Sequence, residues 1–269
     1  MSNEGFKNQH MVPRFYLENF SNKNKFFVYD KNILKIFPAD IRSTGSERFF
    51  YDLIPGELQT IETKLNKEYE DDFSSFLKDF LRQVNNIEHF TLKQHQKEKI
   101  ARYMGYQYIR TRRFREESAR VFTGKNLYEP VDIGLNLDYL HIGLLANNSL
   151  SLVRNLKSNM MENYYWLIGI NKTDEKFYTS DHPVVQRQSL NNIFETAKTK
   201  ASFATLSDEI SYPLSPDIVI MLFNKEQKIH RERRRFNKKR IPINDIFVVN
   251  NLNNMQIMRS YRQVYSVSL

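Results

Sequence analysis

The 269-residue sequence contains no cysteine and no run of eighteen apolar residues. Without cysteine the chain cannot form a disulfide, a thiolate metal site or a cysteine nucleophile. Without a long apolar run, neither a signal peptide nor a membrane-spanning helix is predicted. A cytoplasmic protein with no membrane partner is therefore the expectation.

Several catalytic signatures are also missing. There is no P-loop, no dinucleotide-binding glycine fingerprint and no GxSxG elbow, which argues against nucleoside triphosphatases, dehydrogenases and hydrolases of those classes. The 6 histidines are dispersed and form no HExxH motif. No metal site is assigned on this basis, and any cofactor remains unknown.

Aromatic residues and basic charge are abundant. The 20 Phe and 15 Tyr provide too much apolar material for a disordered chain. The 40 basic and 31 acidic residues give a net charge of +9, a field that favours polyanions such as nucleic acid or nucleotides. The alternative is that the charge serves only to keep the protein in solution.

Strand patterns occur near both ends of the chain. Residues 25–29 and 33–37 flank a polar turn and predict a hairpin, and residues 165–170 and 176–180 flank the turn NKTDE and predict a second one. A further strand is predicted at 217–223.

Helical patterns fill the middle of the chain, because apolar residues recur there every three or four positions. The predicted helices cover 58–84, 91–122 with a bend near Thr111, 136–162 and, near the end of the chain, 243–262. The arrangement predicts a single α+β domain over 1–269, with the helical middle, 56–162, packed on a small, mainly antiparallel sheet. The parts 1–55 and 163–269 both supply strands to that sheet.

Three segments are candidates for function. Asp181 follows a predicted strand, where loops often place functional carboxylates, although TSDHP is also good turn chemistry. Gln107 and Arg110 share a helix face on which Arg110 could hold a phosphate, whereas Arg-rich helices are commonly solvated faces. The run 230–240 includes Arg233, Arg234 and Arg235 and suits contact with nucleic-acid phosphates, the alternative being a charged surface loop.

Six motifs occur in an order that resembles the bacterial DUF4238 family of unknown function. They are QHMVPRFYLENF, FVYDK, ERFFYD, QYIRT, TSDHPVV and PLSP, and the likeness extends over about residues 8 to 260. The family's pattern falls on Gln9, His10, Pro13, Arg14, Phe20, Asp30, Gln107, Arg110, Thr111, Ser180, Asp181, Pro183, Ser215 and Pro216. The family often has a proline where Arg112 stands, so the predicted helix is expected to continue straight there.

Polar positions that recur in separate segments suggest convergence in space. A pocket holding His10, Arg14, Gln107, Arg110 and Asp181 would suit phosphodiester or nucleotide chemistry. His10 is then the expected acid or base, Asp181 its partner or a metal ligand, and Arg14 and Arg110 the phosphate-binding groups. The resulting prediction is a nuclease-like enzyme, such as a toxin or phage-defence effector. The alternative is a nonenzymatic module that binds nucleic acid or protein and whose polar cluster is structural.

Overall fold

The N-terminal part of the fold is an arm, residues 8–20, followed by a hairpin. A computed structural model of the protein describes residues 8–51, 63, 66–123, 137–187 and 208–268. The elements of this part are strand β1 (Asn8–His10), helix α1 (Arg14–Leu17) with a 3₁₀ turn (Glu18–Phe20), and strands β2 (Lys25–Asp30), β3 (Lys35–Asp40) and β4 (Ser46–Arg48). Pairing of β2 with β3 confirms the first predicted hairpin.

The arm is fixed by a glycine turn and by an edge strand. β1 pairs antiparallel with β4, and the carbonyl of Gly45 accepts hydrogen bonds from the amides of Met11 and Val12 at 2.9 and 3.1 Å. Gly45 has φ +70°, and a Cβ atom there would lie 3.1 Å from Leu17 Cδ1. Only glycine fits this conformation and this close approach without strain.

The middle of the chain is helical, as predicted. It consists of a π-helical turn (Asn66–Glu70) and helices α2 (Asp71–Asn86), α3 (Gln94–Ile109), α4 (Arg112–Thr123) and α5 (Leu137–Asn163). The predicted start at residue 58 falls among residues 52–62, which lie outside the described part of the chain. Helices α3 and α5 pack closely because Gly105 has no side chain, and a Cβ there would lie 3.3 Å from Leu156 Cβ.

The bend near Thr111 is a full break between two helices, so the expectation of a straight helix at Arg112 was wrong. The Thr111 hydroxyl accepts a hydrogen bond from the Phe114 amide at 3.3 Å, which satisfies a free donor at the start of α4. Arg110 ends α3 with ψ near zero (φ −84°, ψ −3°). The threonine therefore replaces the missing proline as the residue that starts a new helix.

The C-terminal part adds the remaining strands. They are β5 (Tyr164–Asn171), β6 (Thr179–Ser180), β7 (Val185–Arg187), β8 (Glu209–Ser215), β9 (Ile218–Asn224), β10 (Arg240–Ile243) and β11 (Gln263–Ser266). A 3₁₀ helix (Lys228–Phe236) precedes β10, and helix α6 (Ile246–Arg259) precedes β11. The predicted strand at 217–223 is confirmed by β9. The predicted closing helix, 243–262, was too long at both ends, because Ile243 belongs to β10 and Ser260 caps the end of α6.

Two larger sheets organise the molecule. The four-stranded sheet has the order β3-β2-β11-β6, so strands from both ends of the chain share it, as the α+β prediction required. The five-stranded sheet has the order β10-β5-β9-β8-β7 and is antiparallel except for the parallel pair β10 and β5.

The second predicted hairpin was wrong. β5 pairs with β9 and β10, whereas β6 pairs with β11 in the other sheet. The reason is that nearly every side chain of β5 is buried, so the strand occupies an interior position between two neighbours.

The five-stranded sheet has apolar layers on both faces. One face packs with the arm and helices α2 to α5 in the large core, which contains Trp166, Ile168, Tyr212 and Ile220. The opposite face packs against α6 through a second core that includes Leu167, Val219 and Val249. Double coverage explains the uninterrupted apolar sequence of β9. No helix in the described residues is long and apolar enough to cross a membrane.

Candidate functional site

Arg110 is the centre of a buried polar cluster beside the break between α3 and α4. Its side chain has no solvent-accessible surface. The guanidinium donates to the Tyr51 hydroxyl at 3.1 Å, to the Glu70 carboxylate and to the backbone carbonyl of His10. It also lies 4.7 Å from the centroid of the Tyr106 ring. Because its donors point at protein groups in three directions, Arg110 joins the arm to the helices.

Glutamine side chains hold the arm on either side of this arginine. Gln107 donates from Nε2 to the backbone carbonyl of Met11 at 2.9 Å, and Gln9 accepts a hydrogen bond from the backbone amide of Tyr51. Both glutamines are fully buried. Both therefore bind backbone groups that would otherwise lack partners in the interior.

His10 and Arg14 form a pair at the edge of the cluster. Arg14 is exposed, and its Nε donates to His10 Nε2 at 3.1 Å. Burial, followed by the charges of Arg14 and Arg110, lowers the pKa of His10 to about 4. The ring is consequently neutral at pH 7, and its Nε2 carries a lone pair next to an exposed guanidinium.

Asp181 lies outside this pair. Its carboxylate accepts hydrogen bonds from the backbone amides of Tyr261, Arg262 and Gln263 at 2.7–2.8 Å. Burial raises the pKa of Asp181 to about 6, against the lowering effect of these three amides. Among the described residues, then, the carboxylate faces the start of β11 and makes no hydrogen bond to His10.

His182 links the TSDHP turn to the helix break. Its Nδ1 lies 2.7 Å from the Thr111 hydroxyl, and its ring packs 5.1 Å from that of Tyr108. Burial lowers the pKa of His182 to about 4. The turn and the QYIRT segment are therefore adjacent in space, although their two charged residues, Arg110 and Asp181, point to different partners.

A second buried arginine belongs to the same region. Arg115 donates from Nε to His141 Nδ1 at 3.0 Å, forms an ion pair with Asp138 and donates to the carbonyl of Phe50. The other ring nitrogen of His141 donates to the carbonyl of Ile109 at 2.7 Å. Burial, followed by Arg115, lowers the pKa of His141 to about 3, so this ring is a neutral connector between α3, α4 and α5.

Sequence reasoning identified His10, Arg14, Gln107 and Arg110, which the structure brings together. It assigned no role to Tyr51, Glu70 or His141, and it counted Arg115 only as one of the local charges in the segment 105–116. Tyr51 lay within the quoted motif ERFFYD, so the motif itself was a usable signal. No local pattern marks Glu70 or His141, because their partners are distant in sequence.

The run 230–240 is a separate basic surface. We call residues 228–240 the basic segment. Arg234 and Arg235 are exposed, whereas Arg233 is half-buried with its guanidinium 3.8 Å from the centroid of the Phe223 ring. Arg235 lies 3.9 Å from Glu232, a loose pair in which both side chains are highly exposed. Within the described residues, Arg231 and Arg234 form no ion pair.

Clusters of potential metal ligands were sought in the part of the chain that the structure describes. Over the described ranges there is no group of three or more His, Asp and Glu side chains that could hold a metal ion.

The fold and the cluster define an α+β protein whose arm is tied to a broken helix pair by buried arginines. The chain belongs to the DUF4238 family, described as proteins of unknown function, whose model matches residues 8–268. Searches of curated proteins and of solved structures found no match.

Proposed function

We propose that the protein binds nucleic acid through the phosphate backbone, using the exposed arginines of the basic segment. The observation that carries the proposal is that, in the part of the chain that the structure describes, Arg231 and Arg234 have no ion pair and Arg235 has only a loose one, 3.9 Å from Glu232. Unpaired guanidinium groups on a surface are available for phosphate oxygens. The net charge of +9 supports the same partner.

The geometry of the basic segment adds to this proposal. Phe236 and Ile229 are exposed, with 38% and 80% of their surface accessible, and stand between the basic residues. Single-stranded nucleic acid binds such mixtures through base stacking and backbone neutralisation. The buried cluster around Arg110 supplies architecture in this proposal, because its charged groups face one another.

A matched pair of double variants tests the proposal. Arg234→Ala with Arg235→Ala should weaken binding of a labelled single strand at least tenfold in low salt, measured by fluorescence anisotropy. The slope of log affinity against log salt should fall by about 1 to 2, since each phosphate contact releases roughly one counterion. Arg42→Ala with Arg82→Ala removes the same charge from exposed arginines that have close acidic partners, each at 2.8 Å. Equal losses in both variants would contradict the proposal.

A second proposal is a nuclease-like enzyme at the His10 and Arg14 pair, acting as a bacterial cytoplasmic toxin or phage-defence effector. It is favoured by a neutral imidazole beside an exposed guanidinium, a combination suited to proton transfer next to a bound phosphate. Arg14 would move from His10 Nε2 to the phosphate, which frees Nε2 to accept a proton. Gln107 and Arg110 would position the arm.

This second proposal has its own experiment. His10→Ala and Arg14→Ala should each lower cleavage of single-stranded RNA or DNA at least a hundredfold with circular dichroism unchanged, and His10→Ala should leave nucleic-acid affinity unchanged as well. The basic-segment variant should show the reverse, with weaker binding at low substrate and unchanged cleavage at saturation. Cleavage that survives in His10→Ala would exclude this site.

A further inference from the structure

A cleft of about 520 Å³ lies between α3, α5 and the residues that follow β9 and the 3₁₀ helix. Its lining includes Lys97, Lys157, Lys225 and Lys238. Two carboxylates, Glu98 and Glu162, also reach it. Four ammonium groups and two carboxylates leave an excess of positive charge in one concave site, which we call the lysine cleft.

Lys97 is the unusual member of this group. Only 5% of its surface is accessible, yet no carboxylate lies within ion-pair distance of its Nζ in the described residues. Nζ donates to the carbonyl of Met161 at 2.9 Å and lies 5.2 Å from the centroid of the Trp166 ring. An ammonium has three donors, so two remain for groups in the cleft.

The other lysines of the cleft add to the positive charge around Lys97 and do not neutralise it. Lys225 donates to the backbone carbonyl of Glu162, and neither Lys157 nor Lys238 has an ion pair among the residues described. Burial, followed by the charges of Lys225 and Lys238, lowers the pKa of Lys97 to about 8. A buried ammonium such as that of Lys97, with like charges beside it, is unfavourable unless an anion offsets the charge.

We propose that the lysine cleft binds a compact anion carrying two or more linked phosphate groups, with Lys97 as its most buried contact. Four compact point charges suit the spread charge of a polyphosphate better than a single carboxylate. The volume lies within the range of small-molecule sites. The inference goes beyond nucleic-acid binding, because Lys97, Lys157 and Lys225 lie outside the basic segment.

The test uses the full-length chain and inorganic pyrophosphate. Isothermal titration should detect pyrophosphate binding, and Lys97→Met should weaken it at least tenfold. Lys99→Met is the matched control, because Lys99 lies two residues away on α3 but pairs with Asp72 at 2.7 Å and does not line the cleft. The affinity of the Lys99→Met variant for pyrophosphate should stay within twofold of that of the parent chain.

Two further measurements protect the test from misfolding and from general charge effects. Lys225→Gln changes an exposed residue and should also weaken pyrophosphate binding, so a folding defect in Lys97→Met would not leave the question open. Arg234→Ala with Arg235→Ala should bind pyrophosphate as the parent does, which separates this site from the nucleic-acid surface. No binding at millimolar pyrophosphate, or equal binding by Lys97→Met and Lys99→Met, would overturn the proposal.

The same phosphate chemistry could come from a free polyphosphate or from the 5′ end of a strand. A 5′-triphosphorylated oligonucleotide that displaces pyrophosphate, when its 5′-hydroxyl counterpart does not, would identify the strand end as a ligand. Failure of both oligonucleotides to compete would identify free polyphosphate. Each result supports the cleft as a polyphosphate site and specifies its source.

Discussion

Buried arginines connect the polar groups in the interior of this protein, because a planar guanidinium can donate hydrogen bonds to several groups at once. Arg110 reaches a hydroxyl, a carboxylate and a backbone carbonyl on three separate segments, and Arg115 reaches a ring nitrogen, a carboxylate and a carbonyl. A guanidinium fixes several donors in one plane, whereas an ammonium is a single point charge. These two residues therefore set the relative positions of the arm and helices α3 to α5.

Removing the Arg110 side chain should destabilise the fold strongly. Arg110→Met removes the guanidinium that donates to Glu70, the Tyr51 hydroxyl and the His10 carbonyl, and so breaks a buried ion pair, at a cost of about 3 to 5 kcal/mol. Urea unfolding measures this loss. Arg82→Ala, which breaks an exposed pair with Asp79, should cost less than about 1 kcal/mol. A near-neutral Arg110→Met would mean that the cluster is not structural.

The buried histidines should make stability depend on pH. The pKa values of His141 and His182 lie at about 3 and 4 in the folded chain, below the ordinary value of 6.5. Unfolding therefore takes up protons in this range, and the stabilisation is full above pH 6.5 and falls as the pH drops. The loss should be roughly 2 kcal/mol per ring between pH 7 and 5.

Asp181 acts in the opposite direction, because its raised pKa of about 6 favours the folded state as the pH falls from 6 towards 4. One carboxyl offsets less than one of the two rings at pH 5. Urea unfolding at pH 7 and pH 5 measures whether the free energy of unfolding falls or rises between the two pH values. NMR titration of the histidine ring protons then shows which rings cause the change. Higher stability at pH 5 than at pH 7 would refute this interpretation.

At the scale of elements, two buried carboxylates, Asp181 and Asp30, fix the start of the short strand β11. β11 lies between β2 and β6, so it joins the N-terminal hairpin to the TSDHP turn. Asp181 binds the amides of residues 261–263 at the point where the chain leaves α6 and enters this strand. Asp30 supports the same place by accepting from the Arg262 side chain at 2.7 Å.

Replacing Asp181 should loosen this strand selectively. Asp181→Ala removes the acceptor of three amides, which should cost about 2 to 4 kcal/mol. Hydrogen exchange should accelerate first at residues 261–266 and at the β2 positions that pair with them. Asp217→Ala removes an exposed carboxylate paired with Lys176 and should leave those rates unchanged. Uniform acceleration throughout the molecule would show that Asp181 has no local role.

Elements that have a local sequence signal were predicted correctly, whereas strand pairings between distant segments were not. The hairpin around β2 and β3 and the strand β9 follow from alternation, turn residues and apolar runs. β5 and β6 resemble a hairpin for the same reasons, yet each pairs with a strand more than forty residues further along the chain. Likewise, Arg110 was identifiable from QYIRT, but its partner Glu70 was not, because nothing in the local sequence records that contact.

At the scale of the whole molecule, the four-stranded sheet connects the N-terminal and C-terminal strands. The large core connects the helices. β2 pairs with β11 across more than 230 residues, and Tyr16 of the arm bonds Thr179 at 2.8 Å and stacks on Tyr212. Contacts of this range make the N-terminal part, the helical middle and the C-terminal strands mutually dependent. The single domain over 1–269 stays a prediction, and the cooperativity of unfolding tests it.

The single-domain prediction can be tested with the only tryptophan in the sequence, Trp166. Trp166 is fully buried in β5, and its Nε1 donates to the carbonyl of Met160 at 2.8 Å at the end of α5. Its fluorescence reports on the five-stranded sheet, whereas circular dichroism at 222 nm reports chiefly on the helices. If the two parts form one cooperative unit, the two urea unfolding curves should coincide, since all-or-none unfolding gives the same midpoint with every probe.

Arg110→Met provides the stronger form of this experiment. The side chain lies in the cluster between the arm and the helices, away from Trp166, so a cooperative molecule transmits the loss to both probes and shifts both curves equally. Two separate domains would instead shift the dichroism curve and leave the fluorescence curve in place. Because a shared core couples helices and sheet, we expect coincident curves in the parent and an equal shift in the variant.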